Sequence, residues 1–205
     1  MLFRSLTGAH INGRDALDLG LADRFLREDQ QDELLEGLLQ LNWQEQTAMQ
    51  LNSLLKALAQ EAVDQQPEAQ WLPRRAQIDE WLDVSDVRCA WRALSLLRDH
   101  ADPLFSRAGT TLSEGCPLTA HLVWEQLQRA RHLSLAEVFQ MEYTLSLNCC
   151  RHPEFSEGVR ARLIDKDQKP HWHWPDINAI PEAVVQAHFN KAWEGRHPLA
   201  DFSYF

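Results

Sequence analysis

Near its C-terminus the chain reads HWHWPD, His171 to Asp176. Two histidines two residues apart fall on one face of an extended segment, and Asp176 adds an oxygen ligand. Zinc wants three or four ligands in a fixed geometry, and no other Cys/His pair stands at ligand spacing. The blander reading has Trp172 and Trp174 anchoring the tail onto helices, with the imidazoles at the surface. Upstream, Cys149, Cys150 and His152 supply the residue types of a thiol nucleophile and its base. That chemistry needs a depressed thiol pKa. Both cysteines fall on an apolar helical arc, where a thiol is an inert small hydrophobe. No metal ligands and no catalytic residue are assigned on this basis.

A third candidate is Glu142. On a helical wheel at ~100° per residue, Leu135, Val138, Phe139, Met141, Tyr143, Leu145, Leu147, Cys149 and Cys150 cover a broad apolar arc. Gln140, Thr144 and Asn148 mark the wet side. Glu142 and Ser146 fall inside the arc. A buried carboxylate must be paired, hydrogen-bonded or protonated. The following helix offers Arg160 and Arg162, and Arg162 shares a face with Phe155, Val159 and Leu163. The expectation is a structural ion pair from Glu142 to Arg160 or Arg162; a catalytic carboxylate is the alternative.

Helices must position these residues. Asn12-Gly13 is a turn signal, with a short helix over Arg14–Leu19 and Gly20 at its C-terminal cap. Leu51, Leu54, Leu55, Leu58 and Ala62 form an amphipathic stripe. Ser85 is the expected cap of a helix carrying Val87, Ala90, Trp91, Leu94 and Leu97. Pro117 suits a first turn, with Ala120, Val123, Trp124, Leu127 and Ala130 facing inward. Ser134 and Glu137 form a capping box for a helix to about Cys150. A shorter helix covers roughly Pro153–Ile164, and a last one Pro181–Trp193.

The 205 residues are 44% hydrophobic, enough to bury a core, and carry a formal charge of −10. That charge argues against a nucleic-acid partner. No apolar run approaches the ~20 residues of a membrane helix, and the first ten residues are too short and polar for a signal-peptide core. Cys89, Cys116, Cys149 and Cys150 do not stand at disulfide-framework or zinc spacing. The expected compartment is reducing and soluble, with the cytoplasm preferred.

The run EYTLSLNCCRHPEFSEGVRARLIDKDQKPHW, Glu142 to Trp172, resembles the C-terminal segment of 3-hydroxyisobutyryl-CoA hydrolases, a branch of the crotonase (enoyl-CoA hydratase/isomerase) superfamily. LTGAHINGRDALDLGLADRFL, Leu6 to Leu26, resembles the segment that follows the crotonase catalytic core. IDEWLDVSDV and CPLT match more weakly.

This resemblance implies a mainly α chain: the C-terminal helical portion of an α/β crotonase-like fold, with the N-terminal ββα core absent. Residues 1–28 would be the end of that core and 29–205 the helical region. The family's oxyanion hole and catalytic carboxylates would lie in the absent half. The full protein would hydrolyse a short hydroxyacyl-CoA thioester in valine breakdown, and this chain alone would be inactive. Acyl-CoA is then a substrate, met only together with a crotonase core, and no bound cofactor is implied. Lys166 matches a basic position that lies near CoA phosphate in some members. Helices that normally cover a core would expose apolar surface, so self-association or a complementing N-terminal half is expected. The alternative is a non-catalytic helical binding or assembly module derived from a crotonase.

Overall fold

The computed structural model describes residues 1–202. The helices are α1 (Leu2–Thr7), α2 (Gly13–Asp18), α3 (Gln31–Gln40), α4 (Thr47–Glu61), α5 (Arg75–Leu82) and α6 (Val87–Ser95). They continue with α7 (Pro103–Glu114), α8 (Pro117–Ala130), α9 (Leu135–Arg151), α10 (Pro153–Val159) and α11 (Glu182–Ala187). A π turn over Arg160–Ile164 extends α10. Among the described residues there is no strand. The mainly helical expectation holds.

The chain forms two compact units: residues 10–80, and residues 1–9 with 81–205. Within residues 10–80, buried Asp15 joins segments far apart in sequence. Its Oδ1 accepts the backbone N–H groups of Gln70 at 2.8 Å and Trp71 at 2.9 Å, which ties α2 to a loop 55 residues later. Asn12 and Asp15 also form a reciprocal capping box at the start of α2, so Asn12 is a cap and not only a turn residue. Gly20 follows the helix in the left-handed region. In the same unit, buried Gln30 donates to the Leu58 carbonyl on α4.

In the other unit, α6 buries Val87, Ala90 and Leu94, and α7 buries Phe105, Ala108 and Leu112. Asp86, not Ser85, caps α6, its carboxylate accepting from Cys89 N–H at 2.9 Å. Both types cap well, and the extended backbone at Asp86 brings its oxygen to the helix entrance. Phe105 meets Phe3 of α1 and Trp81 edge to face. Burying such a ring contributes roughly 1.5–3 kcal/mol. Gly109 lets α7 approach the Leu97–Arg98 backbone: a Cβ there would stand 2.3 Å from Arg98 N. A second core gathers Leu118, Leu122, Leu145, Ile180 and Val185 from α8, α9 and the α11 region.

The orientation of α9 differs from the wheel. Thr144 and Leu145 are buried, whereas Phe139, Tyr143 and Ser146 are exposed. The polar stripe meets carbonyl oxygens instead of water. Gln140 Nε2 donates to Leu199 O, and Asn148 Nδ2 to the carbonyls of His188 and Asn190, both at 2.9 Å. Thr144 returns its hydroxyl proton to Gln140 O. Amide side chains satisfy an irregular backbone that would otherwise bury its oxygens. These bonds also help explain why α11 stops at Ala187. Beyond it the chain makes tight turns, Phe189 N–H to Gln186 O and Asn190 N–H to Ala187 O, with the released carbonyls taken by Asn148.

Candidate functional site

A cavity of about 490 Å³ opens in the larger unit. Cys116, Leu118 and Leu122 at the start of α8 line one side, Cys149 of α9 another. Val159, Arg162 and Leu163 of α10 and its π turn form the facing wall. Trp172 closes one edge. Its indole lies over Gly158, 3.4 Å from where a Cβ would stand, and its Nε1–H points to Glu114 O.

The segment that sequence reasoning singled out folds around Arg160. Its guanidinium meets Glu157 Oε1 and Asp165 Oδ2, each at 2.7 Å. It also meets Asp167 Oδ2 at 2.7 Å and the Lys169 carbonyl at 3.0 Å. Glu157 Oε1 accepts the His171 N–H at 2.6 Å as well. The run of alternating charge is thus a loop wrapped on one cation. The Glu157 carboxyl is held down at about 2, chiefly by the Arg160 hydrogen bonds and then by the His171 N–H. Arg160 is held even more firmly charged by the same acids.

This geometry corrects the expected ion pair. Glu142 is half-buried and accepts from Gln126 Nε2 of α8 at 2.9 Å. Arg160 is occupied by acids from its own loop, so it is not available to Glu142. Arg162 is exposed at the cavity rim and makes no ion pair or hydrogen bond with any described residue. The signal for Arg160 was present: acids at −3, +5 and +7 suit a turn that closes on the arginine.

The cysteines also separate. Cys150 is exposed, which corrects the expectation that both thiols are buried, while Cys149 is half-buried against the cavity. Burial pushes the thiols of Cys149 and Cys116 up, the opposite of what a nucleophile needs. His152 is no general base for them. Its Nδ1 accepts the Glu154 N–H as the cap of α10, and burial, then neighbouring His188, lowers its pKa.

His171 and His173 are exposed, and Trp172 and Trp174 half-buried. Asp176 caps a short turn, accepting from Asn178 N–H at 2.9 Å. No cluster of three His, Cys, Asp or Glu among the described residues could hold a metal ion. Sequence reasoning missed two buried polar groups. Glu154 accepts the N–H groups of His173 and Trp174. His121 contacts the Ile177 carbonyl through Nε2 at 3.0 Å. Lys166 is exposed with φ 56°, on the loop that Arg160 organises, and does not line the cavity. Among the described residues no helix is long and apolar enough to cross a membrane.

The helical scaffold and the sequence running through this site define a class. The chain belongs to the enoyl-CoA hydratase/isomerase family, whose model matches residues 2–189. Within it, the chain is similar to the mitochondrial 3-hydroxyisobutyryl-CoA hydrolase of Gallus gallus, 32% identical over 183 residues, which cover 88% of this chain and 46% of the relative. The Danio rerio protein of the same description is 30% identical over 196 residues, covering 92% and 48%. The fold is similar to a carnitinyl-CoA dehydratase from Mycobacterium thermoresistibile, with a TM-score of 0.75, 28% identity, and 93% and 51% of the two chains covered. The chain spans about half the length of the curated relatives it matches.

Proposed function

We propose that this chain is the C-terminal, cleft-walling part of a 3-hydroxyisobutyryl-CoA hydrolase-like enzyme, and that it hydrolyses no acyl-CoA by itself. The observation that carries this reading is the match to such hydrolases across about nine-tenths of the chain but only about half of theirs. Thioester hydrolysis needs oxyanion donors, commonly worth ~2.7–4 kcal/mol each, and a carboxylate or base beside the carbonyl. The cavity's thiols and Glu154 do not supply the second. The thiols are pushed toward their neutral form, and the Glu154 oxygens accept two backbone N–H groups. Catalysis is therefore assigned to a ββα core that this chain would complete, with acyl-CoA bound only in its presence. Lys166 is proposed as a point-charge contact to a CoA phosphate, held out by the Arg160-centred loop. The overall reaction would be hydrolysis of a short hydroxyacyl-CoA thioester in valine breakdown.

A chimera tests this. The chain is fused behind the N-terminal half of the Gallus gallus relative in place of that protein's own matched segment. Release of free CoA from 3-hydroxyisobutyryl-CoA is then followed for the chimera and for the 205-residue chain alone. Turnover by the chimera only is the expected outcome. A folded but inactive chimera, or turnover by the chain alone, overturns the reading.

A further inference from the structure

The cavity holds a charge that the hydrolase reading leaves without a role. Its walls are mainly apolar, with Leu118, Leu122, Val159 and Leu163 joined by the thiols of Cys116 and Cys149, which burial keeps neutral. Thr119, Gln168, His152 and His188 add polar lining. At its rim stands Arg162, which makes no hydrogen bond or ion pair with any described residue. Two carboxylates also line the cavity. Glu154 accepts from His173 and Trp174 N–H, and Glu114 forms no ion pair with Arg162. The contrast with Arg160, two residues earlier, is sharp: that guanidinium has three carboxylate partners. The volume of about 490 Å³ falls within the ~300–1,000 Å³ of small-molecule sites, which are apolar with a few placed polar groups.

A mainly apolar cavity with one uncommitted guanidinium at its edge complements an aliphatic chain that ends in an anion. We propose that this cavity binds a medium-chain alkyl carboxylate, with the chain between Leu118, Leu122 and Leu163 and the carboxylate on Arg162. Guanidinium binds carboxylate through two parallel N–H donors, and the aliphatic chain gains from leaving water. This site does not depend on the hydrolase reading, because it needs neither a thioester nor a catalytic core.

The test uses octanoate as the probe and octan-1-ol as its uncharged counterpart. Both are titrated calorimetrically into the 205-residue chain and into Arg162→Gln, whose substitution is at an exposed position and spares the core. Trp172 on the cavity edge gives an independent fluorescence readout. The expected result is saturable one-site binding of octanoate that weakens at higher salt. Arg162→Gln is expected to loosen octanoate about three- to five-fold, the scale of an exposed ion pair, and to leave octan-1-ol unchanged. No saturable octanoate binding in the millimolar range overturns the proposal. So does octanoate affinity that Arg162→Gln leaves unchanged.

Discussion

Glu157 receives the His171 backbone N–H on the same oxygen, Oε1, that meets Arg160 Nη2. One carboxylate oxygen thus fastens the tail to α10 and orients the cation that organises the intervening loop. The Glu157 carboxyl is held at about 2 against an ordinary 4.5. A depressed carboxyl pKa contributes stability that is whole above the ordinary value and lost as pH falls from there toward the folded one. Acid titration of tryptophan fluorescence between pH 4.5 and about 2 is expected to show this loss. Glu157→Gln should be less stable at neutral pH and flatter across that window. Coincident acid curves for the two proteins would show that the carboxylate is not linked to folding.

His121 and His152 predict a second pH dependence. Burial lowers both below 6.5. The unfolded chain then binds more protons than the folded one as pH drops through 6.5, so stability falls with pH in that range. The urea midpoint is expected to be lower at pH 5.5 than at pH 7.5, numbers set about one unit either side of the ordinary imidazole value. His121→Gln should shrink that difference. An unchanged difference in both His121→Gln and His152→Gln would assign the effect to other groups.

Gly109→Ala should be among the most damaging single-methyl changes. Its Cβ would meet backbone, Arg98 N at 2.3 Å and Leu97 C at 2.6 Å, and neither can rotate away. The expected cost is ~3 kcal/mol or more, the upper end for overpacking. Denaturant unfolding of the variant at matched conditions measures it.

Asp15→Ala removes the acceptor for two backbone N–H groups, those of Gln70 and Trp71. Leaving such donors unpaired costs ~1–3 kcal/mol each. Asp15→Asn keeps an amide oxygen and should cost less. A red shift of Trp71 emission in Asp15→Ala, absent from Asp15→Asn, would report the opened loop. Equal stability of the two variants would show that the oxygen is dispensable.

Much of the helical order was legible, because capping and amphipathic spacing are local. Ser134 and Glu137 form their box as written, and Pro117 and Pro153 open helices. What failed was non-local. A wheel cannot tell water from carbonyl oxygens as the partner of Gln140 and Asn148, so the inner face of α9 was misplaced. The Glu142 pairing failed for a related reason. Arg160 had nearer acids in its own loop, and proximity along a turn outweighed a shared helical face. The buried roles of Glu154 and Asp15 depend on backbone 19 and 55 residues away, which no local pattern encodes.

The exposed apolar row on α10 and its π turn predicts behaviour in solution. Phe155, Leu163 and Ile164 are 51%, 67% and 69% exposed. Such patches bind dyes and copies of the same chain. The 205-residue chain is expected to enhance anilinonaphthalene sulfonate fluorescence and to elute above its monomer size at high concentration. Leu163→Ser with Ile164→Lys should reduce both. A monomeric, dye-silent parent chain would count against this surface being adhesive.

The amide clasp on α9 makes tolerance to change lopsided. Asn148 and Gln140 grip main-chain oxygens of the segment from His188 to Leu199, and every amino acid carries that oxygen. Substitutions at the exposed positions of that segment, Glu194 and Arg196 among them, can therefore drift without loosening it. A change at Asn148 releases two carbonyls at once, so α9 should be the intolerant partner in any mutational scan.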